Sequence, residues 1–217
     1  MATKRPAPYI WTTWMTKLMT GEASCHLPSW FRANHFANSF PKAPSDFDFA
    51  QWQMEHTELL HRVQRGIEAA GGEVFIEGQN AFKLAGSSAA LAGKPDLVTN
   101  IDGEWCVIDV KTGQPLAAHI AQVLIYMWAL PHEFSQYKGI KFSGKIVYPE
   151  HEVPIPASAL DTAFENRMLG MIKTLAAPEA PASVPSFSEC AYCVLTSANC
   201  PDKLIAEDQL LATTSAF

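Results

Sequence analysis

The clearest periodicity lies in residues 45–72, where Trp52, Leu59, Leu60, Val63, Ile67 and Ala70 recur at helical spacing. On a wheel of about 100° per residue they form one apolar stripe, and the pattern predicts a single amphipathic helix. His56 falls inside that stripe, and His61 points the opposite way. Acidic residues open the helix and the Gly71-Gly72 pair closes it. The period then drops to two. Residues 73–77, 81–84, 93–100 and 105–111 read as strands, the last two joined by the turn signal Asn100-Ile101-Asp102-Gly103, which predicts an antiparallel meander. A second helix is predicted over 117–130, stopping before Pro131. Residues 144–148 form a further apolar strand with 153–155 as a partner, and 157–175 reads as a third helix. Residues 177–188 are rich in Pro and Ala and read as an extended linker that does not pack. Ahead of the first helix, segment 1–47 carries Trp11, Trp14, Cys25, Trp30 and Phe31 and runs into a turn-rich stretch at 41–48. No internal repeat is present.

Composition narrows the picture. A chain of 217 residues with 48% hydrophobic content can bury the core of one domain. No segment has signal-peptide character or approaches the roughly 20 apolar residues of a membrane span, so a cytoplasmic, membrane-free protein is expected. Five cysteines in this context argue for metal binding or reduced thiols before disulfides. A net charge of -6 works against nucleic-acid binding, which draws on Lys and Arg to neutralise phosphates. Any DNA contact therefore needs a metal or a local basic groove, for which Lys83, Lys94, Lys111, Lys138, Lys141 and Lys145 are candidates. Trp128, Tyr137 and Phe142 are candidates to stack on bases, against the commoner reading of such aromatics as core. No Gly-rich phosphate loop or serine elbow supports NTPase or esterase chemistry.

Side chains alternate along strand 105–111, so Asp109 and Lys111 share one side while Cys106, Ile108 and Val110 face the core on the other. Asp96 lies in the preceding strand, where a short antiparallel connection brings its carboxylate beside Asp109. Two such carboxylates repel unless a cation lies between them. A hard divalent ion, Mg²⁺ or Mn²⁺, bound through the carboxylates, the Val110 carbonyl and waters removes that penalty and can grip a phosphate. Such an ion polarises the phosphoryl oxygen and lowers the pKa of bound water, and Lys111 can orient or deprotonate that water. The bland alternative is a solvated Asp-Lys ion pair on an exposed strand. Gln122 and Tyr126, four apart on one helix face, can reach the same site, or can be a surface amide and a buried aromatic. His56 is open between a satisfied core histidine and an additional Mn²⁺ ligand.

Gly93-Lys94-Pro95-Asp96, Ile108-Asp109-Val110-Lys111-Thr112-Gly113 and Gln122-x-x-x-Tyr126 together resemble the RecB-type branch of the PD-(D/E)xK nuclease superfamily. The resemblance implies an α/β, restriction-endonuclease-like core at 48–176 with a central mixed β-sheet flanked by helices. It implies divalent-metal cleavage of phosphodiesters, with His56, Asp96 and Asp109 as metal ligands beside the Val110 carbonyl. Lys111 becomes the catalytic lysine, and Gln122 and Tyr126 line the DNA path. The second acid is Asp where many relatives carry Glu, a shorter reach.

Cys190-x-x-Cys193 followed by Cys200-Pro201 gives three thiolates in a C-terminal arm, 189–217, and Cys25 is the distant fourth; Cys106 faces the core. Four thiolates suit tetrahedral zinc or an iron-sulfur cluster, and the chemistry alone leaves both open. One N-terminal cysteine with a C-terminal trio around such a core resembles the iron-sulfur nucleases, AddB-type helicase-nucleases and small CRISPR-adaptation nucleases. That resemblance implies a [4Fe-4S] cluster joining the N- and C-terminal segments. The expected protein is a metal-dependent DNA exonuclease, extending to single-strand or flap endonuclease activity, in repair, recombination or CRISPR adaptation. Single-stranded DNA or free ends are the expected substrates, and an integrase, helicase or recombinase the expected partner. The competing expectations are a DNA-end-binding adaptor working through such a partner and a zinc-stabilised scaffold.

Overall fold

The computed structural model describes residues 2–205. In chain order the elements are β1 (Tyr9–Trp11), α1 (Thr16–Thr20), α2 (Leu27–Asn34), α3 (Phe49–Ala69), β2 (Glu73–Ile76), β3 (Phe82–Ala85), β4 (Ala90–Gly93), β5 (Leu97–Ile101) and β6 (Glu104–Val110). They continue with α4 (Ala117–Glu133), β7 (Ser143–Val147), β8 (Glu152–Ile155), α5 (Thr162–Leu175) and α6 (Phe187–Ala191). Five strands form one mixed sheet in the order β2-β5-β6-β7-β8, and three form a second in the order β1-β4-β3.

Local chemistry fixes the frame. The Asp48 carboxylate caps α3 by accepting the Gln51 N–H at 2.9 Å, and the helix closes where Gly71 takes φ +81°. The β5–β6 hairpin turns through Asp102 and Gly103, both at positive φ, and the Gly103 N–H binds the Asn100 side chain. That turn sets the register Leu97↔Ile108. β6 and β7 are parallel, so the chain must cross over between them, and α4 is the crossover. On one face of the large sheet α3 seats Leu59 and Leu60 on Leu97, Ile108, Val110 and Val147. On the other face α4 packs in a cluster with Val107 and Ile146 of the large sheet and Ile10, Phe82 and Leu91 of the small one. A helix covered from both sides explains why α4 is apolar nearly all round. The result is an α/β fold with mixed sheets flanked by helices.

Several sequence expectations change. The stretch 93–100 is broken at Lys94-Pro95-Asp96, because Pro95 has no N–H to give a ladder. Its first part becomes β4, which pairs with β3 in the small sheet, so 81–84 is no part of the predicted meander. β1, unpredicted, pairs in parallel with β4. α4 runs through Pro131, which sits in its last turn; there the His132 side chain binds the Trp128 carbonyl at 2.6 Å and the Phe134 N–H binds Leu130. The helix expected from 157 starts at Thr162, where Asp161 accepts the Phe164 N–H at 2.7 Å, after a short 3-10 turn at Ala157–Ala159. The stretch 177–188 does pack: the Trp30 indole donates to the Ala177 carbonyl, the Val184 N–H reaches the Cys25 sulfur, and α6 begins inside it under a Ser186 cap. Tyr137 and Phe142 belong to the core, and Trp128 is half-buried and stacked on His132. Of the expected C-terminal arm, 206–217 lies outside the described residues. Among the described residues no helix is long and apolar enough to cross a membrane.

Candidate active site

The β5–β6 register that pairs Leu97 with Ile108 sets Asp96, just ahead of β5, opposite Asp109. Asp96 Oδ2 accepts the Val110 N–H at 2.8 Å and lies 3.3 Å from His56 Nε2 on α3. Asp109 is 1% exposed, and each of its oxygens has a different neighbour. Oδ1 accepts from Gln122 Nε2 at 3.1 Å. Oδ2 meets the Lys111 ammonium in an ion pair but accepts no hydrogen bond of good geometry. Gln122 also donates to the Tyr126 hydroxyl at 2.9 Å. His56, Asp96, Asp109, Val110, Lys111, Gln122 and Tyr126 are thus brought together, while His61 is exposed on the far side of α3.

The electrostatics follow from burial. Desolvation pushes the Asp109 carboxyl up to about 6, with Lys111 pulling it back and Asp96 adding repulsion. His56 is held above its ordinary range by its bond to the Asp96 carboxylate, which outweighs its own burial. Burial alone lowers Lys111, but the Asp109 carboxylate more than compensates and keeps the ammonium charged. Burial sends the Tyr126 hydroxyl well above 10.

Gln122 and Tyr126 do not line an open DNA path. Gln122 is 7% and Tyr126 1% exposed, and the Tyr126 ring fills space that even a Cβ on Gly93 would invade, at 2.7 Å. The pair stands behind Asp109 and orients it. His119 escaped the sequence reading. It stands one turn before Gln122, half-buried, with Nδ1 2.9 Å from the Tyr148 hydroxyl; burial, then Lys111, lowers it to about 4, so its ring is neutral. The signal was its i,i+3 relation to Gln122. A cavity of about 570 Å³ reaches the carboxylates' partners His56, Val110 and Lys111, and is also lined by Phe47, Trp52, Gln114 and His119, among others.

The expected basic groove does not form. Lys94 pairs with Glu77, Lys145 with Glu152 and Lys111 with Asp109, while Lys83 lies over the Tyr9 ring. Lys138 and Lys141 precede β7, at the end of the sheet opposite Val110 and Val147. Among the described residues no three His, Cys, Asp or Glu side chains already stand as ligands to one ion. The donor types nevertheless suit a hard divalent cation: two facing carboxylates, one with a buried oxygen short of hydrogen bonds, and an imidazole beside them.

A second cavity, of about 440 Å³, is lined by Cys25, Cys190, Cys193 and Cys200, none of them in a disulfide. The Glu189 carboxylate joins its two walls by accepting the Ser24 N–H at 3.0 Å and the Cys25 N–H at 3.2 Å. Backbone N–H groups are aimed at sulfur: that of Val184 at Cys25, of Leu195 at Cys193 and of Asp202 at Cys200. Burial, with Cys25 close by, raises the Cys193 and Cys200 thiols. Four sulfurs around one cavity, three of them served by backbone donors, fit a thiolate-bound group. Cys106 lies apart, on β6 opposite Thr99.

The family model of the PD-(D/E)XK nuclease superfamily matches residues 28–200, which include the whole carboxylate constellation. The chain belongs to that superfamily, whose members are usually hydrolytic nucleases using divalent metals such as Mg²⁺ or Mn²⁺ and whose substrate is DNA. Among solved structures, that of SSO0001 is 22% identical over 72% of this chain and 73% of that chain, with a TM-score of 0.43. No curated protein matches the chain.

Proposed function

We propose that the chain is a divalent-metal-dependent DNA nuclease of the RecB-like, iron-sulfur type, folded as one domain. One observation carries the nuclease reading: a buried carboxylate, Asp109, short of hydrogen bonds on one oxygen and met there by a lysine, facing a second acid that is bound to a histidine. Asp96, Asp109 and His56 would hold Mg²⁺ or Mn²⁺ together with the Val110 carbonyl. The ion supplies Lewis-acid polarisation of the phosphate and an acidified water. Lys111 orients the attacking water and offsets the charge that builds on the phosphorane. Gln122 fixes one Asp109 oxygen while the other meets Lys111, and Tyr126 fixes Gln122.

The four cysteines would hold a [4Fe-4S] cluster. The support is four thiols lining one cavity with backbone donors behind three of them, the hydrogen bonding that cluster sulfurs use. The cluster's role is to join the chain's two ends. Biological settings compatible with this chemistry are repair, recombination or CRISPR adaptation, with a helicase, integrase or recombinase as companion.

The test is incubation of end-labelled single-stranded and duplex DNA with anaerobically purified protein in Mn²⁺ or Mg²⁺, and in chelator. Shortened products in metal and none in chelator are expected. DNA binding with intact strands in every metal would replace this reading with that of an end-binding adaptor. Iron and sulfide analysis of the same preparation separates cluster from zinc.

A further inference from the structure

Two large apolar side chains beside the catalytic cavity are left in solvent: Phe47 is 61% and Phe49 60% exposed. They flank Asp48, whose side chain caps α3, so both rings are held at the start of a 21-residue helix. Trp52 follows one turn later, its ring 6.1 Å from Phe47 and 5.6 Å from Phe49. His56 comes next, 5.0 Å from Trp52 at 35°, and it touches Asp96. A continuous run of flat rings therefore leads from open solvent to the carboxylates, and Phe47, Trp52 and His56 all line the catalytic cavity.

We propose that Phe47, Phe49 and Trp52 form a stacking platform for unpaired nucleobases of the strand whose phosphate is cleaved, so that the enzyme selects single-stranded or frayed DNA. The proposal rests on the nuclease reading of the adjoining site and adds a specificity determinant to it. Continuity of the rings with the cavity argues for bases as the occupant, and the charge on this rim keeps the backbone off it. Asp46, Asp48 and Glu55 are its exposed ionic groups, and they repel phosphates. What the rim offers a nucleic acid is ring faces, which accept any base. A base inside a duplex hides both of its faces in the stack, so a platform of this kind engages strands already unpaired or opened at an end. Continuity with the cavity fixes the direction: bases lie along the Phe47–Trp52 rim as their backbone passes His56 toward Asp109.

The experiment is a binding titration in Ca²⁺, followed by anisotropy of a labelled oligothymidylate and by quenching of a single 2-aminopurine in an otherwise identical strand. Wild type should bind the single strand and quench the 2-aminopurine. The double variant F47A/F49A should bind about tenfold or more weakly, since each lost stack is worth about that factor or more, and should lose the quenching. Phe49→Tyr, which keeps a ring, should retain both. Replacing the stacked base by an abasic site should weaken wild type but not F47A/F49A. Both rings stand in solvent, so the double variant should melt with wild type. Wild-type affinity and quenching in F47A/F49A would overturn the proposal. Equal losses for intact and abasic strands would also overturn it, and would assign the rings to contact with the sugar-phosphate backbone. Failure of the nuclease reading looks different: strands bind and quench but stay uncut when Mn²⁺ replaces Ca²⁺.

Discussion

The carboxylate site and the cysteine cavity of this protein are built in opposite ways. Around Asp96 and Asp109 the fold itself supplies partners: a backbone N–H, an amide, an ammonium and an imidazole, delivered by β6 and the residue after it, α4 and α3. All but His56 come from one contiguous run of chain, and the hairpin register sets their spacing. The cysteine cavity draws its walls from Cys25 and from Cys190 to Cys200, more than 160 residues apart by the Glu189–Cys25 bond, |i−j| = 164. Its closure depends on a few bonds, chiefly Glu189 to Ser24 and Cys25 and Trp30 to Ala177. The first cavity is organised by the sheet and should survive loss of a functional side chain; the second lies between the chain's two ends, which also meet through the Lys42–Leu195 bridge and the buried Leu195. Glu22 links the two through α4: it lines the cysteine cavity and its carboxylate caps α4 at the N–H groups of Ala117 (2.7 Å) and Ala118 (3.2 Å), ahead of Gln122 and Tyr126.

That contrast is broken or sharpened by four changes, taken from the largest expected effect down. Cys193→Ala should abolish the brown colour that the proposed cluster would give and lower stability by roughly 3 kcal/mol or more, read by visible absorption and thermal melting; an unchanged spectrum contradicts the cluster. Gln122→Leu leaves Asp109 Oδ1 without its donor, and should cost about 1–3 kcal/mol of stability and about tenfold to a hundredfold in cleavage rate, measured by urea denaturation and initial rates. Glu22→Ala should cost about 1 kcal/mol through the lost α4 cap, and a melt identical to wild type would remove the link between the cavities.

The smallest effect concerns pH, in chelator. The Asp109 carboxyl ordinarily titrates at 3.8 and is raised to about 6 in the fold, so the folded state keeps its proton longer and stability falls as pH rises between those values. His119 is lowered from 6.5 to about 4, so the unfolded state binds its proton first and stability rises with pH over that window. The two slopes oppose each other. Asp109→Asn should therefore expose a rising slope and His119→Gln a falling one in urea midpoints between about pH 4 and 6.5. Slopes of the same sign in both variants would refute the assignment.

Much of the carboxylate cavity was legible in the sequence because its spacing is local. Asp102-Gly103 fixes a two-residue turn, which puts Asp96 opposite Asp109, and four-residue spacing puts Gln122 and Tyr126 on one face. Burial was not legible: nothing in Gln122-x-x-x-Tyr126 says that α4 is enclosed by two sheets, which turns a presumed DNA contact into support for Asp109. β1 is three residues long and its partner β4 is some 80 residues away, beyond any periodicity. The lysines failed as a groove because their acidic partners, Glu77 and Glu152, come from other elements. His119 meets Tyr148 only through the α4 crossover. Phe47 and Phe49 look like core residues by type, and only the fold shows them standing in water at the cavity mouth.

The most direct measurement is the rate of end-labelled single-strand cleavage in Mn²⁺ by wild type and by Lys111→Ala, side by side. The account predicts metal-dependent products from wild type and a rate lower by roughly a hundredfold to a thousandfold or more in the variant, with DNA still bound. Equal rates in the two proteins would contradict the assignment of phosphodiester chemistry to this cavity.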